Sequence, residues 1–582
     1  MSVITVDPAS RPARRPRAPI APALRARLRL PTGLLLERAW YDLRKPLFAS
    51  RAYSLLLPTR LPAGPSPTPL ADTWPGNAAQ GAAIGEGVCS FGGQTIHDPA
   101  PLWAPVGARP AWIEALQSFE WLRDLRAAGG ESSRRVGREF IGRWIDEHRN
   151  WDALAWRPDL IGRRLTAWLS HYEFLGIAGD TTFRGRFLLS VARQAHHLAR
   201  ALPGGLSGSP LLAAIAGLLH AGLAVPRGGP LIGQGQRLLA REIMRQILPD
   251  GGHRERSPAV QLEVLRLFTG LRASFLAAGA APPPALDEAI AGLAQVLRLF
   301  QHGDGSLALF NDSNEEEDWL VDMALARANP THAGTKGLVL KEAPDSGFQR
   351  LVANRTLVLV DGGAPPVPGF DRHTHAGTLA FEMSIGRERL IVNCGAHAGH
   401  GGDWWAAQRS TAAHSTVTVK ASNSSILAPD GGLVRGPRTV VCRREEAEGN
   451  VWLEMSHDGY AANLDVVHRR RLFLSAAGDD LRGEDRLVGG GRHPFDIRFH
   501  LHPGVTVSMA QNGQAALLRL ASGTGWRLRA TGAPVTLEES VYLGRRGETR
   551  KSQQIVIAGE KGADEAVVKW AIAREGKPGK TR

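Results

Sequence analysis

The feature that most constrains this chain is a change of period near its middle. From about Trp112 to Leu325 apolar residues recur with helical spacing. Ile161, Leu165, Trp168, Leu169 and Tyr172 fall at i, i+4, i+7, i+8 and i+11, and Val260, Val264, Leu267, Phe268, Leu271 and Phe275 repeat the rhythm. Beyond "ANPTHAGTKGLVLKEAPDSG" (Ala328 to Gly347) the period becomes two. In "TLAFEMSIG" Leu379, Phe381, Met383 and Ile385 take one face and Thr378, Ala380, Glu382 and Ser384 the other; "NVWLEM", "RRLFLS" and "DIRFHLH" alternate likewise. Helices first and strands second specify a two-domain α plus β architecture, a helical half and an antiparallel β-sandwich, with a cleft expected at the join.

The expected boundaries are a basic, disordered leader over 1–45, a helical domain over 46–330, a linker over 331–347 and a strand domain over 348–575. Within the helical half the breaks carry Gly and Pro, as in "LPDGGHRERSP", where Ser257 caps the helix that follows.

A chain of 582 residues can bury two sizeable cores. Its net charge of +14 suits an anionic partner: an acidic polysaccharide, a nucleic acid or a membrane surface. Much of the excess sits in ten Arg or Lys between Arg11 and Lys45, so no basic cleft is required. Three cysteines without a CxxC exclude a disulfide scaffold and a cysteine-rich zinc module. No run of eighteen apolar residues predicts a transmembrane segment, and the patch Leu34, Leu35, Leu36 is too short for a signal-peptide core. "GQGQRL" at Gly233 lacks the third glycine of a dinucleotide loop, and "GLSGS" at Gly205 is not a nucleophile elbow. Nucleic acid is not expected as a partner, because the Pro-rich basic leader has no interleaved stacking aromatics.

The stretch "DRHTHAGTLAFEMSIGRERLIVNCGAH" holds the most pointed pattern, His373 and His375 one residue apart. Strand parity would put both on one face, with Asn393 and His414 downstream. Two imidazoles and an oxygen could hold a divalent metal, and a neutral imidazole could equally remove a proton. The plain alternative is a polar strand face, and a second pair, His500 and His502, shows how easily the pattern arises.

"HTHAGTLAFEMSIGRERLIVNCG", "RSTAAHSTVTV", "HDGY" and "HRRRLFL", together with "AWRPDLIGRRLTAWLSH", "LPDGGHRERSP" and "DGSLALFNDSNEE" in order upstream, resemble the heparinase II/III-like family over roughly residues 110 to 560. The resemblance implies an incomplete (α/α) toroid joined to an antiparallel β-sandwich. It also implies a polysaccharide lyase acting on a uronic-acid polymer of glycosaminoglycan or alginate type. Such a lyase removes the C5 proton of a uronate whose carboxylate has been neutralised; the C4–O bond breaks, a C4=C5 double bond forms, and the leaving oxygen takes a proton. By the resemblance His373 matches the catalytic histidine. His375 and His414 match metal-ligand histidines, Asn393 stands at the metal-binding Asp, and zinc is the implied structural metal. Arg409, at the motif's arginine, would pair with a substrate carboxylate. His253, Arg254 and Glu255 in "GGHRERSP" are further candidates for proton relay or carboxylate binding, and His414 for a supporting catalytic role. Trp404 and Trp405 are candidate substrate contacts beside Arg254 and Arg409.

Four departures accompany the resemblance. Ser209 and Pro210 occupy the place of the family's Asn-His, and Val260 and Gln261 that of its Tyr-His. The Asp of HxHxD is Gly377, and Asn393 removes the anionic ligand, which weakens a divalent site. Asn311 and Asp312 read as a turn, and Tyr460 as a support of the sandwich. The expected activity is therefore a lyase cleaving an acidic glycan by beta-elimination. The alternative is a non-catalytic glycan-binding or envelope-polysaccharide accessory protein on the same fold. The family implies the cell envelope or periplasm; the absence of a secretion signal leaves the cytoplasm as the other location.

Overall fold

The computed structural model describes residues 30–60, 70, 72–329, 339–397, 402–429 and 431–576. Its first half is helical from Thr32–Ala49 to Asp318–Ala328, interrupted by one small hairpin, Val88–Phe91 with Gln94–His97. The helix Gly208–Ala224 runs through the middle of this half. All but one of its residues are buried, as expected of a helix that is apolar all round. Beside it packs Pro158–Ser170, and the two approach so closely that a Cβ on Gly217 would lie 2.3 Å from the Cα of Gly162. The helix Pro258–Ala277 begins as its sequence predicts, with Pro258 in the first turn and the Ser257 side chain accepting from the backbone N–H of Val260.

The second half is two large antiparallel sheets and a two-stranded ribbon, Ile426–Leu427 with Leu433–Arg435. One runs in the order Val440–Ala447, Asn450–Tyr460, Val466–Leu474, Asp480–Gly489, Glu565–Arg574, Gly525–Thr531, Ala515–Arg519, Thr506–Ala510. The other runs Val535–Tyr542, Arg550–Lys561, His493–Leu501, Glu388–Val392, Phe381–Ile385, Thr356–Asp361, Phe348–Ala353, Glu342–Ala343, with Val417–Val419 also pairing on His493–Leu501. Leu453, Leu472, Leu481 and Ile572 from the first sheet and Phe381, Met383, Ile497 and Ile557 from the second fill one core between them. The Tyr460 hydroxyl donates to the Val417 carbonyl at 2.7 Å inside that core, so it supports the sandwich.

Three expectations are corrected. Residues 32–45 of the supposed leader are part of the helix Thr32–Ala49, which buries Leu34, Tyr41 and Phe48 against the body. Its Arg38 donates to the Gly205 carbonyl and Arg44 to that of Arg200; residues 1–29 lie outside the described residues. The strand domain begins before 348, because Glu342 and Ala343 already pair with Gln349 and Phe348. The strand Phe381–Ile385 is buried on both faces rather than one, since Glu382 and Ser384 meet His302 from the helical half at 2.9 Å each.

The seam between the halves is polar and closed. Arg256 Nη2 pairs with Asp361 while its Nε donates to the Ser346 carbonyl, and Arg389 Nε pairs with Asp304 at 2.8 Å. Asp304 with Arg389, and His302 with Glu382 and Ser384, hold the loop 300–317 of the helical half against the strand half, and the site lies along that loop.

Candidate functional site

His373 and His375 do not sit on a strand. They lie on the loop that enters Phe381–Ile385, so strand parity does not apply and their side chains part company. His373 turns toward the helical half. Its Nδ1 is 2.8 Å from Asp312 Oδ2, and its Nε2 is 3.6 Å from Glu255 Oε2. Burial alone would lower its pKa, but the bond to Asp312 and the charge of Glu255 outweigh that effect and raise it above the ordinary value of 6.5. Burial lifts Glu255 as well, partly offset by His373 and by the Ser209 N–H that Glu255 Oε1 accepts at 2.9 Å.

Asp312 is placed by a strained turn. Asn311 and Asp312 are consecutive non-glycine residues with φ of +47° and +59°. Asn311 holds that conformation with both ends of its amide, donating to the Arg256 carbonyl at 2.8 Å and accepting from the His375 N–H at 3.1 Å. The pair read from sequence as a turn is thus both a turn and part of the site.

His375 and His414 lie beneath, and their hydrogen-bond partners fix their tautomers. The Asp312 N–H donates to His375 Nε2 at 3.0 Å, so the His375 proton is on Nδ1. Nδ1 donates to His414 Nε2 at 3.2 Å, and His414 Nδ1 donates to the Ser410 carbonyl at 2.8 Å. Both rings are buried and neutral: burial, with the other ring, holds His375 well below 6.5, and burial brings His414 to about 4. Each lone pair that would face zinc already accepts a hydrogen. Asn393 Oδ1 accepts from the Ser415 N–H, and its Nδ2 donates to Glu382 Oε1, both at 3.0 Å. The donor set does not fit the implied metal, and among the described residues no group of three or more His, Cys, Asp or Glu could hold one. Gly377 closes the arrangement, since a Cβ there would stand 2.7 Å from the His414 ring.

Three other candidates are placed differently from expectation. Arg409 is buried, spending its donors on the carbonyls of Thr374, Ala428 and Gly432 at 3.1, 3.0 and 2.8 Å, with its guanidinium 4.4 Å from the Trp405 ring. It ties loops together, and Trp405 is buried beneath it; Trp404 is exposed and lies parallel to His397. His253 is buried against Gln246 and accepts the Glu255 N–H, and burial lowers it to about 3. Arg254 donates to the Arg245 carbonyl and borders a separate groove with Gly363 and Val367. Of the "HRE" triplet only Glu255 turns toward His373.

The cleft that His373 borders measures about 520 Å³ and is floored by the helices Pro158–Ser170, Gly208–Ala224 and Pro258–Ala277. It holds charged and aromatic groups that no sequence motif marks. Arg163 pairs with Glu263 at 2.6 Å and Glu120 at 3.2 Å; burial would lift Glu263, but Arg163 holds it below the usual carboxylate range. Arg123 pairs with Asp72 at 2.6 Å. Arg266 lies 4.7 Å over the Trp74 ring, and its buried Nε has no hydrogen-bond partner. Glu263 could have been found by asking what shares a helix face with Val260, three residues earlier; Trp74, in a loop far upstream, carried no such signal. Val260 lines the cleft, and Ser209 is buried with its N–H bound to Glu255. None of the five tyrosines lines it.

Residues 335–571 match the family described as heparinase II/III-like, C-terminal. Over 576 residues the chain is 31% identical to FtsZ-localized protein C of Caulobacter vibrioides, covering 93% of this chain and 94% of that one. Among solved structures it superposes on a heparinase III with TM-score 0.67 at 16% identity, over 81% of this chain and 79% of that one. It superposes on the heparan sulfate lyase HepC of Pedobacter heparinus with TM-score 0.60 at 15% identity, over 94% and 88%. At these identities the structural likeness establishes the toroid and sandwich and nothing about chemistry.

Proposed function

Since this chain belongs to the heparinase II/III-like family, we propose that it binds an acidic, uronic-acid-containing glycan in the cleft between toroid and sandwich and has lost the elimination step. The observation that carries this reading is that Val260 lines the cleft at the place where the resemblance puts the family's tyrosine, while Ser209, at the place of its asparagine, is buried outside the cleft lining with its N–H bound to Glu255. A valine cannot exchange a proton with the leaving oxygen, and the Ser209 backbone is committed to Glu255. Binding needs less. Arg266, stacked on the buried Trp74, offers a cation to a carboxylate, and His373 in its protonated form offers a second positive donor.

The relative named FtsZ-localized protein C carries a name that records a place in the cell. We extend that place to this chain, as a glycan-binding accessory that works with the division machinery at the cell envelope. Among the described residues no helix is long and apolar enough to cross a membrane.

One observation favours a second reading, that of a working lyase. His373 faces carboxylates on both sides, and a single imidazole so placed can take the C5 proton and return it to the leaving oxygen. Incubation with a panel of uronic-acid polysaccharides, followed by ultraviolet absorbance of the unsaturated uronate and by native gel mobility, separates the two. Retarded glycan without absorbance supports the binding protein. Absorbance that disappears in His373→Ala supports the lyase, and neither signal on any glycan removes both.

A further inference from the structure

Two neighbouring glutamates at the end of the loop 300–317 meet opposite environments. Glu315 turns inward: it accepts from the Tyr542 hydroxyl, and Arg389 Nε and Arg545 Nε each lie 3.7 Å from its oxygens. Glu316 turns to the cleft, whose wall it shares with His373, Arg266 and Arg546. Its carboxylate stands 4.0 Å from Arg546 Nη2, beyond hydrogen-bond reach, and the Arg546 side chain is 76% exposed. Burial lowers the pKa of Arg266, and the charge of Glu316 is among those that oppose the lowering, so the one carboxylate acts on both arginines.

The backbone holds Glu316 in place under strain. Its φ is +56°, a left-handed conformation that a non-glycine residue keeps only where its surroundings impose it. What imposes it is the turn 543–549 of the strand half, which joins Val535–Tyr542 to Arg550–Lys561. The Glu315 N–H donates to the Gly544 carbonyl at 2.7 Å, and Asn314 Nδ2 donates to the Leu543 carbonyl at 2.7 Å. These bonds fix the main chain on both sides of the Glu316–Arg546 pair, while the two side chains stay loosely joined. An exposed ion pair of that length contributes little, whereas a carboxylate gripped by the guanidinium fork gains charge-assisted hydrogen bonds. The pair is therefore built to be exchanged.

We propose that Arg266 and Arg546 bind carboxylates of the acidic glycan, one from the buried part of the cleft and one from its rim, and that Glu316 is an internal stand-in for a ligand carboxylate, displaced when the glycan arrives. The proposal rests on the glycan reading of the cleft and adds to it the residue that competes with the ligand. A neutral sugar brings no charge with which to replace Glu316, so the glutamate selects for uronate over neutral residues. Because Arg266 belongs to the helical half and Arg546 to the strand half, a bound chain touches both.

The test is calorimetric titration of the full-length protein, Glu316→Gln and Arg546→Ala with oligosaccharides of alginate, polygalacturonate and hyaluronan, and with the same oligosaccharides after reduction of their carboxyl groups to alcohols. Glu316→Gln is expected to bind one of the acidic oligosaccharides roughly fivefold tighter than wild type, and Arg546→Ala roughly fivefold more weakly. All three proteins should bind the reduced form alike, a result that a purely structural role would not produce. Binding seen in Glu316→Gln and not in wild type also supports the proposal. Should Glu316→Gln fail to fold, the solvent-exposed Arg546→Ala decides the matter. A folded Glu316→Gln that binds no tighter, an Arg546→Ala that binds as well as wild type, or equal changes with acidic and reduced oligosaccharides overturns the proposal and leaves the glycan reading standing. Absence of binding by both wild type and Glu316→Gln removes the two together.

Discussion

His373 and Asp312 come from opposite halves of the molecule and meet at 2.8 Å, Nδ1 to Oδ2, on the wall of the cleft. Their meeting makes the imidazole more basic than a histidine in water despite its burial, so His373 keeps its proton to a higher pH than a free imidazole would.

Glycan binding should therefore depend on pH in a stated direction. His373 is raised above 6.5, so the favourable charge is fully present below that value and is lost as pH rises through the higher folded pKa. Asp312→Asn removes the partner that holds it up, and the loss of binding is expected to move to lower pH. Titrating affinity for a uronic-acid oligosaccharide in both proteins checks this, and coincident curves would count against the role given to Asp312.

Arg266→Ala should weaken the same binding by roughly tenfold or more, the scale of one charge-assisted hydrogen bond. Thermal stability should fall only by the lost contact with Trp74, about 1–2 kcal/mol, because the buried Nε has no hydrogen-bond partner to lose. Calorimetric titration alongside a melting curve distinguishes a ligand contact from a structural one.

Equimolar zinc should leave the melting temperature unchanged, and a chelator should leave both folding and binding intact. His414→Ala, by contrast, should cost about 1–3 kcal/mol, because it strands the His375 N–H and the Ser410 carbonyl inside the protein. Elemental analysis and denaturant melts measure the two expectations separately.

Asp361→Ala leaves the Arg256 guanidinium buried without its carboxylate and should destabilise the fold by about 3–5 kcal/mol. Because Arg256 also carries the Asn311 side chain on its carbonyl, the variant should lose cleft binding as well as stability.

Acid should unfold the protein earlier than its carboxylates alone would require. Burial lowers His197, His253 and His500 to about 3 in the folded chain, whereas the unfolded chain takes up those protons near 6.5. Their contribution is present above 6.5 and is lost as pH falls from there toward 3, so the melting temperature should decline across that window.

The switch from helical to alternating period was legible because each half buries a face of its own, and His373 was legible because its motif travels with the strand that follows. Asp312 was not: a turn and a site share the residues "ND", and only two successive positive φ values held by Asn311 distinguish them. Arg409 misled because its three carbonyl acceptors come from Thr374, Ala428 and Gly432, separations no local pattern reveals. In "HRE" the spacing gave no hint that His253 would be walled in, Arg254 would border another groove and Glu255 alone would face the cleft. The helix Thr32–Ala49 looks like leader in sequence because its buried positions, Leu34, Tyr41 and Phe48, recur only every seven residues among basic residues.

The closed seam also governs how such a chain can be inherited. Arg256 with Asp361, Asp304 with Arg389 and Asp312 with His373 each split a charge pair between the two halves, and His302 with Glu382 splits a buried hydrogen bond. A gene recombined at the junction would bring together halves whose buried charges find no counterpart, so toroid and sandwich descend as a matched set, and drift in one is licensed only by what the other already carries.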